Sequence, residues 1–368
     1  MPELYVEPMT DRWTCFKCKK VSTRKKKLLK CAGCEAITYC SRDCQEQDWA
    51  RHRYNCVPVM VTKIPGKGRG LVAARDIKKG ELIFKEKDAI KLKVARKSDT
   101  VTLMAESVDE KFVKSLKDQV ENLPTEAKSL FFQLEPTRNT GDFYPSLSRA
   151  GFSESDINIV RLFINNAKKI SNEDNTIVLR LNLELVNHSC SPNAINEPGD
   201  TDADSELRAT KDIRKGDEVT LCYLDDFMNF GSIARKRRTK LEKVVGFDCK
   251  CPVCSGKVPG QDKLMKKLIE LHTKLDRHPL DLRREAGIRD KIVDVFLDLN
   301  IGHPNDMAEA VIKMVEAAKL THDPALLRKA MDKCRQIAED TKLKQIQRFY
   351  EHMERMLAQR CTSCKEKE

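Results

Sequence analysis

Metal-ligand spacing constrains this chain more than any other feature. Cys15-x-x-Cys18, Cys31-x-x-Cys34, Cys40-x-x-x-Cys44, His52 and Cys56 crowd into a unit spanning residues 12–56. Eight ligands suffice for two tetrahedral zinc ions. An interleaved pairing puts Cys15, Cys18, Cys40 and Cys44 on one ion and Cys31, Cys34, His52 and Cys56 on the other; a sequential pairing remains open. A unit this short cannot build a core of its own, so metal must knit it together. Within it, Ser41 to Arg53 reads as a helix with Ser41 as cap and Asp43 in the first turn. Gln45 and Trp49, four apart, then share a face.

A second cluster, Cys249-x-Cys251-x-x-Cys254, lacks one ligand for a four-coordinate site. Cys190 is the natural fourth, in the segment Asn187-His188-Ser189-Cys190 that Pro192 and Asn193 close. A third zinc ion would pin that segment against a distant part of the chain. The chain has fifteen cysteines in all. No apolar run approaches the ~18 residues of a membrane span, and Glu3, Glu7 and Asp11 interrupt any signal-peptide core. The expected setting is cytoplasmic and nuclear, where thiols stay reduced and serve metals instead of disulfides.

A net charge of +12 sits on a chain that is 34% charged and 40% hydrophobic, a composition suited to a globular protein of two or three domains. Two basic runs stand out: Arg24-Lys25-Lys26-Lys27 and Arg235-Lys236-Arg237-Arg238-Thr239-Lys240. They fit a weak nucleic-acid contact, a nuclear-localisation signal or a plain solvated face. Neither is interleaved with aromatics, which excludes a stacking surface for single strands.

Between these landmarks, Ile64-Pro65-Gly66-Lys67-Gly68-Arg69-Gly70-Leu71 alternates glycines that permit close backbone approach with cations that meet carboxylate or phosphate. The spacing matches neither a P-loop nor a dinucleotide fingerprint. Leu71-Val72 and Glu81 to Phe84 read as a strand pair turning at Lys78-Lys79-Gly80. Val108, Phe112, Leu116, Val120 and Leu123 predict a helix that stops at Pro124, and a second helix runs from Ile157 to Ile170. After an acidic loop, Gly199 to Glu206, another pair is expected between Leu207-Arg208-Ala209 and Glu218 to Tyr223, turning at Lys215-Gly216-Asp217. From residue 260 onward, apolar residues at helical spacing predict antiparallel helical hairpins. Cys361 and Cys364 fall in an expected tail.

The spacing of residues 15–56, with Tyr39-Cys40-Ser41-Arg42-Asp43-Cys44-Gln45 and Trp49-x-x-His52, closely resembles the MYND zinc finger. That resemblance implies a protein-interaction module whose groove near Gln45 and Trp49 takes a proline-rich peptide. The glycine segment, Asn187 to Cys190, Gly216-Asp217-Glu218 leading to Tyr223, and the cysteines at 249–254 together resemble the SET domain of protein lysine methyltransferases. The combination is similar to the SET- and MYND-domain group, the SMYD proteins.

The implied fold is α+β: a β-rich SET domain of short strands with a helical insertion, a small zinc-binding MYND finger, a cysteine-rich post-SET segment and an all-α C-terminal helical-hairpin region. The implied division is finger 12–56, first SET part 57–97, helical insertion 98–160, second SET part 161–225, post-SET zinc segment 226–257 and C-terminal helices 258–368. The resemblance further implies S-adenosylmethionine as cofactor beside three zinc ions. Lys67, Gly68, Arg69, Asn166, Asn187, His188, Tyr223 and Phe247 would line the cofactor site, and Tyr223 would stand at the methyl-transfer centre. Partners would be proteins carrying a target lysine, histone or not, with the enzyme a monomer off the membrane.

The chain departs from the group in placing the finger before the glycine segment, in Val245 where a second tyrosine is usual, in Lys168 where an aromatic is expected, and in a shorter helical end. Two functions therefore compete. One is a protein-lysine methyltransferase; the other is a catalytically inactive adaptor that recruits partners through the finger in transcriptional regulation.

Overall fold

A computed structural model describes residues 14–23, 27–53, 56–93, 108–134, 143–169, 175–199, 204–224, 234–276, 281–299 and 304–365. It is α+β, as the sequence predicts. In the finger, β1 (Leu29–Lys30) and β2 (Thr38–Tyr39) form a small antiparallel ribbon followed by α1 (Arg42–His52). Ser41 caps α1, its hydroxyl accepting from the Cys44 amide at 3.2 Å. Tyr39 is fully buried and donates to Asp48 at 2.8 Å, which ties the ribbon to the helix.

Three short sheets carry the centre of the chain. One has the order β3 (Val59–Ile64), β4 (Gly68–Ala73), β12 (Glu218–Leu221), β9 (Asn187–His188). Its β9–β12 pair is parallel, with Asn187 opposite Thr220 and His188 opposite Leu221. The second joins β10 (Ala194–Pro198), β11 (Asp204–Ala209) and β5 (Leu82–Lys87); the third joins β6 (Ile90–Lys93), β8 (Thr176–Leu179) and β7 (Lys168–Lys169). Leu71, Ile77, Ile83, Phe84, Val186, Leu207 and Val219 share one core between the first two sheets.

Here two sequence expectations need correction. Leu71-Val72 and residues 81–84 are strands but do not pair with each other: β4 lies between β3 and β12, while β5 pairs with β11. Likewise β11 and β12 lie in different sheets. The two predicted turns are corners that carry the chain from sheet to sheet, and they bridge each other through Ile77 and Ile213. Burying both apolar faces in one core outweighs local hairpin closure. The expected acidic loop also ends early, since Asp204, Ser205 and Glu206 are buried within β11.

Helices α2 (Glu110–Glu121), α3 (Thr125–Phe132), α4 (Phe143–Arg149) and α5 (Glu154–Asn166) pack on the third sheet through Phe112, Leu116, Val120, Phe131 and Phe163. Pro124 ends α2 as predicted and opens α3. Helix α6 (Ala234–Val245) leads to the cysteine cluster. Five further helices follow, each packed on the next: α7 (Gln261–Asp276), α8 (Leu282–Asp298), α9 (Pro304–Leu320), α10 (Pro324–Thr341) and α11 (Lys344–Lys365). The backbone of α11 runs through Cys361 and Cys364 where a tail was expected; their side chains lie outside the described residues.

The outer units dock at named contacts. The finger meets the two corners: Lys215 pairs with Glu35 at 2.8 Å, and the Arg75 guanidinium donates to Gly33 O at 3.0 Å. Helices α7 and α8 roof the cysteine cluster with Met265, Leu268, Ile288 and Phe296. The start of α11 is held by Lys344, whose ammonium reaches Glu206 at 2.5 Å and whose amide donates to Glu197 at 3.1 Å.

Candidate metal centres and active site

Each of the three predicted ligand sets is gathered in space: Cys15, Cys18, Cys40 and Cys44; Cys31, Cys34, His52 and Cys56; Cys190, Cys249, Cys251 and Cys254, with the donor atoms of each within 4.8 Å of one another. The interleaved pairing is the one the fold adopts. Sulfur–sulfur separations of 3.5 Å (Cys18–Cys40), 3.7 Å (Cys31–Cys56) and 3.5 Å (Cys190–Cys254) approach the edge of a tetrahedron built on zinc–sulfur bonds, about 3.8 Å. The donor chemistry, four sulfurs or three sulfurs and an imidazole, fits zinc. Hydrogen bonds among the thiols lower the pKa of Cys31, with Cys34 the largest contributor, and of Cys251, with Cys190 the largest, and the same kind of contact raises Cys56 and Cys190, so in the absence of metal each set shares its protons unevenly. The thiolate is the form that binds metal. A Cβ on Gly33 would lie 2.9 Å from the Cys56 sulfur, so the second finger site requires glycine there.

One imidazole joins the third centre to the residues expected at the active site. His188 is 4% exposed, and burial pushes its pKa down to about 4, leaving the ring neutral. Its Nδ1 accepts from the Tyr223 amide at 3.0 Å, which places the proton on Nε2, and Nε2 lies 3.3 Å from the Cys190 sulfur. The Tyr223 and Phe247 rings stand 5.3 Å and 5.8 Å from the His188 ring, and the Tyr223 hydroxyl donates to Val186 O at 2.7 Å.

The glycine segment closes the other side. Asn187 Nδ2 donates to Arg69 O and to Glu218, both at 3.0 Å, and Lys67 pairs with the same Glu218 at 2.6 Å. Gly66 and Gly68 take the left-handed backbone, φ +73° and +72°. A Cβ on Gly70 would meet Asn187 Nδ2 and Ile64 Cγ1, each at 2.6 Å. The absence of a side chain is what lets β4 approach Asn187.

The predicted residues are not all equally placed. Arg69 turns to Gln133 at the end of α3, donating to its side chain at 3.0 Å, and Asn166 donates to Leu162 O of its own helix at 2.8 Å. Lys168 places its ammonium 5.7 Å from the centroid of the Tyr223 ring and 3.2 Å from Glu184. Val245, at the other departure, is buried in the apolar cluster that Tyr223 and Phe247 pack against. The second basic run is only partly a surface: Arg237 is 1% exposed with Nη2 4.0 Å from the Cys254 sulfur, and Arg238 pairs with Asp248 at 2.5 Å. Apart from Lys27, the first run lies outside the described residues. Trp49 packs edge-on against His52, ring centroids 5.9 Å apart, yet remains 45% exposed.

Sequence reasoning missed Glu218, Glu184, Arg237 and the Val186 carbonyl as parts of these centres. Glu218 sat inside a named motif and was readable as a partner for Lys67 by charge alone. A backbone carbonyl carries no residue signal.

With this geometry in place, the family comparisons agree. The SET domain model matches residues 68–224 and the MYND finger model residues 15–56. The chain therefore carries a MYND finger followed by a SET domain. Among curated proteins it is similar to human histone-lysine N-methyltransferase SMYD1, 27% identical over 78% of this chain and 60% of that protein. It is also similar to human N-lysine methyltransferase SMYD2, 26% identical over 67% of this chain and 52% of that protein. The chain thus spans less than two thirds of the length of these relatives. A solved structure, the SET domain of LSMT bound to MeLysine and AdoHcy, overlays 80% of this chain and 83% of its own at 12% identity with a TM-score of 0.31. Among the described residues, no helix is long and apolar enough to cross a membrane.

Proposed function

We propose that this chain is a protein-lysine methyltransferase that takes its methyl group from S-adenosylmethionine. The observation that carries the reading is the convergence of the glycine segment, Asn187, His188, Tyr223 and Phe247 on one place, with the Tyr223 hydroxyl oriented by Val186 O. The residues fit the cofactor: a backbone cradle without side chains at residues 66, 68 and 70, a neutral buried imidazole and an aromatic face at Phe247. S-Adenosylmethionine, when bound, supplies an electrophilic methyl on a cationic sulfur.

The chain's own residues would do the rest. Because the Tyr223 hydroxyl donates its proton to Val186 O, its oxygen can meet an amine N–H only as an acceptor. Holding the amine in one orientation is the main task for a displacement reaction. Free lysine is protonated near neutral pH, with a pKa of about 10.4, and an apolar channel favours its neutral form. Gly68, Asn187, His188 and Phe247 would hold the cofactor. Arg69 and Lys67, engaged by Gln133 and Glu218, would act by shaping the cradle. Asn166 would contribute from the end of α5.

The exposed Trp49 with Gln45 supports a partner site on the finger, and a proline-rich peptide suits an aromatic face of this kind. The boundaries given for the six segments, and action in the cytoplasm and nucleus as a monomer, belong to the same reading.

The test is transfer of labelled methyl from S-adenosylmethionine to mixed histones and cell-extract proteins, with Tyr223→Phe alongside. Transfer that falls about 10²-fold in the variant, with cofactor binding kept, supports the enzyme. Cofactor binding without transfer by the unaltered chain would instead support the adaptor.

A further inference from the structure

Lys168 and Glu184 form an ion pair beside the residue expected to receive the acceptor amine. Lys168 belongs to β7, held in register against Val178, and Glu184 to the 3-10 turn Leu183–Leu185 that precedes Val186. The two side chains are 3.2 Å apart, the carboxylate 10% exposed and the ammonium 37%. The same ammonium lies 5.7 Å from the Tyr223 ring centroid, within reach of the negative face of the phenol. The Tyr223 hydroxyl bonds to Val186 O, two residues beyond Glu184. A primary ammonium on a four-carbon stem, paired with a carboxylate and lying over this ring, has the chemistry of the acceptor side chain itself.

We infer that Glu184 is the docking point for the acceptor lysine's ammonium, and that Lys168 is a built-in stand-in that occupies it until an incoming lysine displaces it. This rests on the methyl-acceptor reading of Tyr223. A nearly buried carboxylate is costly to leave without a cation, so one of the two ammonium groups must hold it at all times. Lys168, paired and protonated, is no nucleophile and lowers apparent acceptor affinity by the fraction of time it is in place. The arrangement fits an acceptor that enters charged, leaves Glu184, releases its proton to bulk water and then, as the neutral amine, donates a hydrogen bond to the Tyr223 oxygen.

The test uses binding, so it needs no turnover. The full chain, zinc-loaded and saturated with S-adenosylhomocysteine, is titrated with Nα-acetyl-lysine methylamide and followed by NMR. Lys168→Met keeps the stem and removes the charge, and it should bind the probe about fivefold more tightly, the gain from vacating a partly exposed ion pair. Lys168→Arg should bind no better than the unaltered chain. Glu184→Gln in the Lys168→Met background should lose the gain. Equal affinity in Lys168→Met and the unaltered chain, with S-adenosylhomocysteine affinity unchanged, overturns the inference. So does a gain that survives Glu184→Gln. If the predicted affinities are found but no protein lysine is methylated by any variant, the site stands and the methyltransferase reading falls.

Discussion

Arg237 offers the sharpest test of how the third metal centre is held. Its guanidinium is 1% exposed, with Nη2 4.0 Å from the Cys254 sulfur and Nη1 3.8 Å from Asp262, itself about half exposed. Four thiolates around a zinc ion leave a net charge near −2, so a buried cation beside them is compensation, not a surplus charge. At 4 Å and an effective dielectric constant of about 20, one unit charge is worth about 4 kcal/mol, and removing one member of a buried pair costs about 3–5 kcal/mol. Asp262 draws part of the guanidinium's field, so the lower figure applies. About 3 kcal/mol corresponds to roughly a hundredfold weaker hold on zinc. Arg237→Met preserves the stem's packing and deletes the charge, whereas Arg237→Lys keeps the charge and loses the planar fork. The assay is chelator-driven zinc release from the full chain, read as the time course of three ions leaving. In Arg237→Met one ion of the three should leave early; in Arg237→Lys the effect should be smaller. A release curve for Arg237→Met that superimposes on that of the unaltered chain would refute the charge-compensation account.

Gly70→Ala should abolish cofactor binding and cost about 1–3 kcal/mol of stability, because its Cβ would sit 2.6 Å from both Asn187 Nδ2 and Ile64 Cγ1; calorimetric titration with S-adenosylhomocysteine and urea unfolding check both parts. Gly33→Ala should loosen the finger's Cys31–Cys34–His52–Cys56 site by driving the new methyl to 2.9 Å from the Cys56 sulfur, and cobalt substitution should show the three-sulfur, one-nitrogen spectrum lost while the two four-sulfur spectra persist. Glu86 is buried, and desolvation raises its pKa to about 7 although the Asn182 and Leu183 amides donate to it. A carboxyl whose folded pKa exceeds its unfolded value stabilises the fold below pH about 4.5 and loses that contribution as pH rises through 7. Urea unfolding at pH 5 and pH 7.5 should therefore show a fall of about 2 kcal/mol from this group, absent from Glu86→Gln; equal pH slopes in the two proteins would count against it.

What was legible in the sequence was what local spacing dictates. Metal ligands must lie close together, so spacing alone marked the finger's eight ligands and pointed the orphaned three-cysteine cluster to Cys190, while the choice between interleaved and sequential pairing in the finger came only with the fold. Apolar periodicity found both helices of the insertion, Glu110–Glu121 and Glu154–Asn166, but the second was expected to run to Ile170 and instead ends before Lys168–Lys169, which pair as strand β7. Sheet partners were not legible. Lys78-Lys79-Gly80 has the residues of a hairpin turn, but the strands it separates bury their apolar faces in one core from two different sheets. Turn chemistry is set by three residues, whereas pairing is set by where Leu71, Phe84, Leu207 and Val219 can all be covered at once. Arg237 was hidden by its company: within a run of cations, nothing in the sequence marks which one turns inward.

The arrangement explains why the chemistry-bearing segments can lie so far apart along the chain. The parallel pair β9–β12 is two residues on each side, too short to hold a site by its own hydrogen bonds. It is held from outside instead. Asn193 accepts from the Thr220 amide at 2.8 Å and donates to Glu218 O at 2.9 Å, locking the segment after Cys190 to β12. Cys190 stands with the cysteines at 249–254 at its other end, and the close approach that Gly70 permits, and a side chain there would block, sets it against β4. His188 then sits where these restraints meet, one ring nitrogen on the Tyr223 backbone and the other facing a metal-ligand sulfur. A metal held by the four cysteines would therefore take part in positioning Tyr223, because the imidazole that accepts from the tyrosine's amide lies against Cys190, a member of that ligand set.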